Sequence, residues 1–187
     1  MALITLIGPD DAPMTTKPYF AEGDPGPIVA ALANVPELLE AAMPFLSAVF
    51  APSALSLRTK EIVVLRTSAL LECRYCVDTH TVVARDAGLT RAEVVGLRGE
   101  AEDGPFADPA DLALLGWIDV AARGPGSPPA VVAERLAEHF TESDIVELTL
   151  LIGATLMLNR FATSLGLPTS AETLQRLADE GLTSDAA

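Results

Sequence analysis

The sequence predicts an all-α fold, a helical bundle. Three observations carry this reading. Beyond residue 27, apolar residues recur at three- and four-residue intervals, the period of one helix face. Helix punctuation brackets these runs: Pro36 and Pro109 stand at first-turn positions, and Gly88 and Gly124 follow the last periodic residues. No segment shows convincing strand alternation. "EIVVL" alone passes as a short strand, but its flanks carry the helical period.

Taken in order, residues 1–27 are rich in Pro, Gly and Asp ("PDDAP", "EGDPGP") and read as an irregular N-terminal arm. Residues 28–187 form one helical domain. Its first clear helix is "PELLEAAMPFLSAVF". A second covers Leu57 to Leu71, and a third covers Cys73 to Ala87 and stops at Gly88. "LTRAEVVGL" opens with Thr90 three residues before Glu93, the spacing of a capping box. "DPADLALLGWIDVAAR" follows, then the connector "GPGSPP", then "PAVVAERLAEHF". The apolar "IVELTLLIGATLML" reads as a buried helix within the longer run to Leu165, and "SAETLQRLADEG" closes the chain. There is no clear internal repeat.

The 187 residues are long enough to bury a real core, and half of them are apolar. A net charge of −14 argues against nucleic acid as a partner, because neutralising phosphates requires a basic surface. The opening "MALITLIGPDDAPM" lacks the basic start and the long apolar run of a signal peptide. No run reaches the roughly 18 uncharged apolar residues of a membrane span, so no membrane partner is expected. The expected location is the cytoplasm, where thiols are held reduced and a CxxC is more often catalytic or metal-binding than structural.

That compartment gives weight to "ECRYCVDTH". The stretch holds both cysteines of the chain and one of its two histidines. At roughly 100° per residue, Cys76 falls about 60° and His80 about 20° to one side of Cys73. All three share a narrow stripe over two turns, at the three- and four-residue spacings where helical side chains meet. Two thiols at this spacing near a helix start can close a disulfide. The chemistry needs a thiolate, and an ordinary Cys is only a few per cent ionised at neutral pH. Lowering its pKa by two units takes about 2.7 kcal/mol, whereas a helix N-terminus supplies roughly 0.3–1, or about 2 in good geometry. A base within reach has to make up the difference, and His80 is the candidate. Glu61, twelve residues before Cys73, faces this stripe if the two helices fold back on each other. There it would act as a proton acceptor or raise the basicity of His80.

"KEIVVLRTSALLECRYCVDTHTVVARDAGLT" resembles the core of the carboxymuconolactone decarboxylase superfamily, in its alkyl hydroperoxidase D (AhpD-like) branch. That branch has a Glu, a CxxC twelve positions on, and a His four after the second Cys. Glu61, Cys73, Cys76 and His80 match each element and gap. The resemblance covers about Leu57 to Leu97. It is looser at "LMLNRFATSLGLP", which is similar to a later helix of the peroxidase-related members. It implies an all-helical fold, a trimer or hexamer, and reduction of organic or hydrogen peroxide by the cysteine pair. Cys76 would be the peroxidatic thiol and Cys73 the resolving one. A thiol or lipoyl-type donor would reset the pair, with a peroxiredoxin as a possible client. One departure is Tyr75, where some members carry a second His. Tyr75 is left to pack or to offer a hydroxyl.

Other readings of the same residues are a structural disulfide or a zinc site. Zinc is disfavoured, since His139, the other histidine, lies 59 residues beyond His80. No motif for a metal, haem or flavin appears, so no cofactor is expected. A decarboxylase-like lyase is the alternative activity, although such members typically lack the CxxC. A non-catalytic redox-sensing oligomer is a third possibility. Arg58 and Lys60 read as surface charges. Arg66 and Arg74 read as partners of Glu72 or Asp78, and Asp78, about 160° from His80, as solvent-exposed. Trp117 and the methionines fit a core or subunit interface.

Overall fold

A computed structural model describes residues 2–101, 104–124 and 126–183. Among them the chain is all helical: α1 (Pro27–Leu32), α2 (Pro36–Phe50), α3 (Leu57–Leu70), α4 (Arg74–Asp86), α5 (Arg91–Leu97), α6 (Pro109–Arg123), α7 (Ala130–Ala137), α8 (Glu142–Leu165) and α9 (Ala171–Asp179). The short α1 is an addition to the sequence expectation. Residues 2–26 are irregular apart from one 3-10 turn at Lys17–Phe20. Phe20 and Ala12 of this arm pack on Val29, Ala33 and Leu39 of the same chain.

The expected punctuation operates. Pro36 and Pro109 begin their helices, and Thr90 and Glu93 form a capping box. A second box, Thr141 with Asp144, starts α8. Gly88 adopts φ +93°, and the Gly88 and Leu89 amides bond back to Arg85 and Ala84. This left-handed stop is one that glycine takes without a Cβ clash.

α3 is the central helix and packs against α4, α5, α6 and α8. It is buried on nearly every side, from Lys60 to Leu65 and again at Thr67 and Ser68. A helix in that position loses its polar face, so any charged residue on it needs a partner. The surface reading of Lys60 is therefore corrected. Its side chain is 1% exposed; its ammonium donates to the carbonyls of Val49 (2.9 Å) and Ala51 (2.5 Å) and pairs with Glu147 at 2.6 Å. Arg58 is likewise engaged, bridging Asp111 and Glu93. Arg66 pairs with Asp119 rather than with Glu72 or Asp78.

α8 also departs from expectation. It runs for 24 residues and is, among the described residues, the one helix long and apolar enough by composition to cross a membrane. Its inward seam, Leu148, Leu151, Ile152, Thr155, Asn159 and Ala162, packs on the bundle, which is the behaviour of a core helix. It is not buried all round, because Val146, Leu150 and Met157 face outward.

Lys60 gives a direct test. Lys60→Ala orphans two carbonyls and leaves the Glu147 carboxylate with Ser53 alone; it is expected to lower stability by about 3 kcal/mol in urea unfolding. The hydrogen bond from Lys60, and then that from Ser53, hold the Glu147 carboxyl below its usual range. A depressed carboxylate stabilises the fold above its unfolded pKa and loses that contribution as pH falls through the folded value. The stability gap between the native chain and Glu147→Gln should therefore be full at neutral pH and shrink below about pH 4.

Candidate functional site

The site is built on the junction between α3 and α4, where only Leu71, Glu72 and Cys73 lie between the helices. α3 ends with Glu72 in the left-handed region (φ +54°), its amide bonding to Ala69, while the Cys73 amide donates to the Ser68 carbonyl at 3.1 Å. These are the two bonds of a Schellman stop. The residue that completes it, Cys73, is at once the N-cap of α4. Cys73 is thus placed at the start of a helix, beside backbone amides that lack intrahelical acceptors.

Cys76 follows three residues later, in the first turn. The two cysteines are paired as a disulfide, with Cα atoms 5.3 Å apart, inside the range a disulfide spans. Cys73 is 1% exposed and Cys76 6%. They pack in an apolar cluster with Ala31, Ala162 and Leu167, covered by Ile4, Leu6, Ile28, Tyr75, Phe161 and Leu165. Leu167 reaches this cluster because α8 also ends in a left-handed stop. Gly166 has φ +63°, and the Leu167 amide returns to the Ala162 carbonyl.

α4 folds back along α3, and this brings Glu61 to His80: Oε2 lies 2.9 Å from the imidazole Nδ1. The Glu61 side chain is 5% exposed and that of His80 is 25%. In a neutral imidazole, a carboxylate partner at Nδ1 favours the proton on that nitrogen and the lone pair on Nε2. Phe50, at the end of α2, lies over the imidazole with ring centroids 6.5 Å apart. All four site residues named from the sequence are therefore gathered along one α3–α4 hairpin.

One neighbour, Asp78, differs from expectation, and Tyr75 packs as expected. Asp78 is buried, not solvent-exposed: it accepts a hydrogen bond from Thr169 at 2.8 Å, and Arg74 approaches it at 3.9 Å. It points away from the stripe, as the wheel requires, but that side of α4 is covered by the segment after α8. Tyr75 packs beside the cysteine cluster. Burial pushes its phenol pKa up, and a side-chain hydrogen bond with Thr79 opposes that rise. Sequence reasoning missed Phe50, Ile4, Leu6 and Leu167. Apolar residues far away in the chain carry no local signal, although Gly166 was a readable helix stop. Among the described residues, no group of three or more His, Cys, Asp or Glu side chains is arranged to hold a metal ion.

This geometry agrees with the comparisons. The family described as the carboxymuconolactone decarboxylase family matches residues 36–127, a span that contains α2, α3, α4 and the whole constellation. The chain belongs to the carboxymuconolactone decarboxylase superfamily. An uncharacterized protein of Bacillus subtilis (strain 168), YdfG, is 29% identical over 115 residues, which are 61% of this chain and 78% of that one. Among solved structures, an uncharacterized peroxidase-related protein from Ralstonia eutropha JMP134, described as an alkylhydroperoxidase AhpD core, superposes with a TM-score of 0.82 at 19% identity. It covers 92% of this chain and 94% of its own. A peroxidase-related protein from Silicibacter sp. TM1040 gives 0.81 at 22% identity, over 92% and 93%. The debrominase Bmp8 gives 0.74 at 19%, over 95% and 97%. These likenesses establish the AhpD-like fold.

Glu72 offers a test of the junction. A non-glycine residue in the left-handed region is strained by roughly 1 kcal/mol. Glu72→Gly should therefore stabilise the chain by about 0.5–1 kcal/mol in denaturant unfolding and leave the cysteine pairing intact. A loss of stability would show that Glu72 makes compensating contacts.

Proposed function

We propose that the chain is a thiol-dependent peroxidase, an alkyl hydroperoxide reductase-like enzyme that cycles between the Cys73–Cys76 dithiol and its disulfide. The observation that carries the proposal is the 2.9 Å contact between Glu61 and His80, one helical turn beyond a paired CxxC. It supplies an oriented base where a thiol must lose its proton.

In this reading Cys76 is the attacking thiol, being the less buried sulfur and the one in step with His80. The His80 Nε2 takes the Cys76 proton, and Glu61 steadies the resulting imidazolium. The thiolate attacks the terminal peroxide oxygen. The O–O bond breaks, the alcohol leaves after taking a proton, and Cys76 becomes a sulfenic acid. Cys73 then attacks that sulfur and displaces hydroxide, which leaves as water once protonated, and the disulfide closes. Cys73 suits the resolving role because its thiolate forms at the N-cap of α4, where unpaired amides and the helix dipole favour negative charge. A thiol or lipoyl-type donor returns two electrons by attacking Cys76 and expelling the Cys73 thiolate. A peroxiredoxin is a possible client of the same dithiol.

The decisive measurement is stopped-flow peroxide consumption with trapping of sulfenic acid. Cys73→Ser should still form a trappable sulfenic acid, and Cys76→Ser should form none; the reverse pattern exchanges the roles. His80→Ala should slow the first step by about 10²–10⁴-fold. With dithiothreitol present, the native chain should consume many equivalents of peroxide. A single equivalent would make it a sensor and sink the enzymatic reading.

We also propose that the protein is a cytoplasmic homo-oligomer, a trimer or hexamer. Support comes from the apolar groove of about 470 Å³ between α2 and α8, lined by Leu38, Phe45, Met157 and Phe161. Sedimentation should give a mass above that of one chain, and Phe45→Glu should lower it.

A further inference from the structure

We propose that Leu3–Ile7 is a strap closed over the Cys73–Cys76 pair, and that its opening governs how fast an external thiol can reduce the disulfide. The proposal rests on the peroxidase reading only in that such a pair must be reset by a thiol donor.

The segment alternates as extended chain does, with Leu3 and Thr5 exposed and Ile4 and Leu6 turned inward. Ile4 and Leu6 pack against the cluster that holds both sulfurs. Three hydrogen bonds pin the segment. The Leu3 amide donates to the Leu165 carbonyl at 2.8 Å, and the Ile7 amide donates to the Ala30 carbonyl at 3.0 Å. Between them, Asn34 Nδ2 donates to the Thr5 carbonyl at 2.9 Å. The anchors lie at the end of α8 and on or just after α1, and both elements also contribute side chains to the cysteine cluster. The strap therefore runs from one wall of the cluster to the other. Beneath it, Cys73 and Cys76 are 1% and 6% exposed.

Thiol–disulfide exchange requires a thiolate to reach a sulfur directly. At these exposures a dithiol cannot do so without local opening. The strap is the cover held by the fewest bonds, since it has no helical ladder of its own, so it is the part expected to open first. Once it is open, one thiolate of the donor attacks the Cys76 sulfur, the S–S bond breaks, and Cys73 departs as a thiolate and is protonated. The donor's second thiol then attacks the mixed disulfide, releasing Cys76 and leaving the donor as its own disulfide. Two electrons pass from donor to protein.

The test uses the full-length oxidised chain and dithiothreitol as probe, well below the unfolding temperature of each variant. Quenched alkylation and mass measurement give the reduction rate. Leu6→Ser, which removes an inward contact, should be reduced on the order of tenfold faster. Asn34→Ala, which removes the bond to Thr5 and a second bond to the Ala31 carbonyl, should be reduced several-fold faster. Met14→Ser, at an exposed position of the arm outside the strap, should match the native rate. Native rates for Leu6→Ser and Asn34→Ala would overturn the proposal, and so would an equal acceleration in Met14→Ser. If Leu6→Ser does not fold, Asn34→Ala and Ile4→Val decide the matter. No peroxide enters this measurement. A chain that shows strap-limited reduction but consumes no peroxide keeps this inference and loses the peroxidase reading, and the converse separates them equally.

Discussion

The rest of the site depends on one backbone event: the reversal of the chain at Glu72, within a connection of three residues. Because only Leu71, Glu72 and Cys73 separate α3 from α4, Cys73 is both the closing residue of one helix stop and the cap of the next helix. A longer loop there would leave Cys73 free to move away from the helix start and would shift the register of α4 along α3. Both consequences would be chemical. The first removes the amides that favour a thiolate, and the second separates His80 from Glu61. The left-handed Glu72 is the strained residue that keeps the two helices in step.

α3 carries a second constraint. A helix surrounded by other helices has no solvent side, yet this one carries Lys60 and Glu61 on adjacent positions. Each is satisfied in a different direction. Lys60 turns to the end of α2 and to Glu147 on α8, and Glu61 turns to His80 on α4. Two adjacent buried charges of opposite sign, each held by its own partner, bind α3 to three neighbours more specifically than apolar contacts do. Lys60 thus ties α3 to α2 and α8, while its neighbour ties α3 to α4. The carbonyls of Val49 and Ala51 that receive Lys60 flank Phe50, the residue that lies over His80. The Lys60 and Glu61–His80 contacts therefore meet at one short stretch at the end of α2.

The fold alone does not name the reaction. The same architecture is shared with a debrominase and with peroxidase-related proteins at identities near 20%. On a shared fold, activity is set by the side chains presented. The α3–α4 hairpin of this chain presents a CxxC, a histidine and a carboxylate, and the apolar cluster around the cysteines has a cover drawn partly from the N-terminal arm. The part of the cover supplied by Ile4 and Leu6 belongs to no regular element, and it is the part most free to differ without disturbing the bundle.

Local sequence determined the helices and their ends, because periodicity, capping pairs and glycine stops act over a few residues. Thr90 with Glu93, Gly88 and the CxxC-to-His spacing were legible for that reason, and with them the stripe of Cys73, Cys76 and His80. Tertiary structure decided what faced what. Lys60 and Asp78 look like solvent residues in isolation; they are buried because α3 is central and because the segment after α8 folds over α4. Glu61 could be nominated from its spacing, but its contact with His80 exists only because the two helices fold back in one register. The placement of Phe50, Leu167, Ile4 and Leu6 around the site had no local signature at all. Packing between distant segments is set by the shape of the assembled core, which no short window of sequence contains.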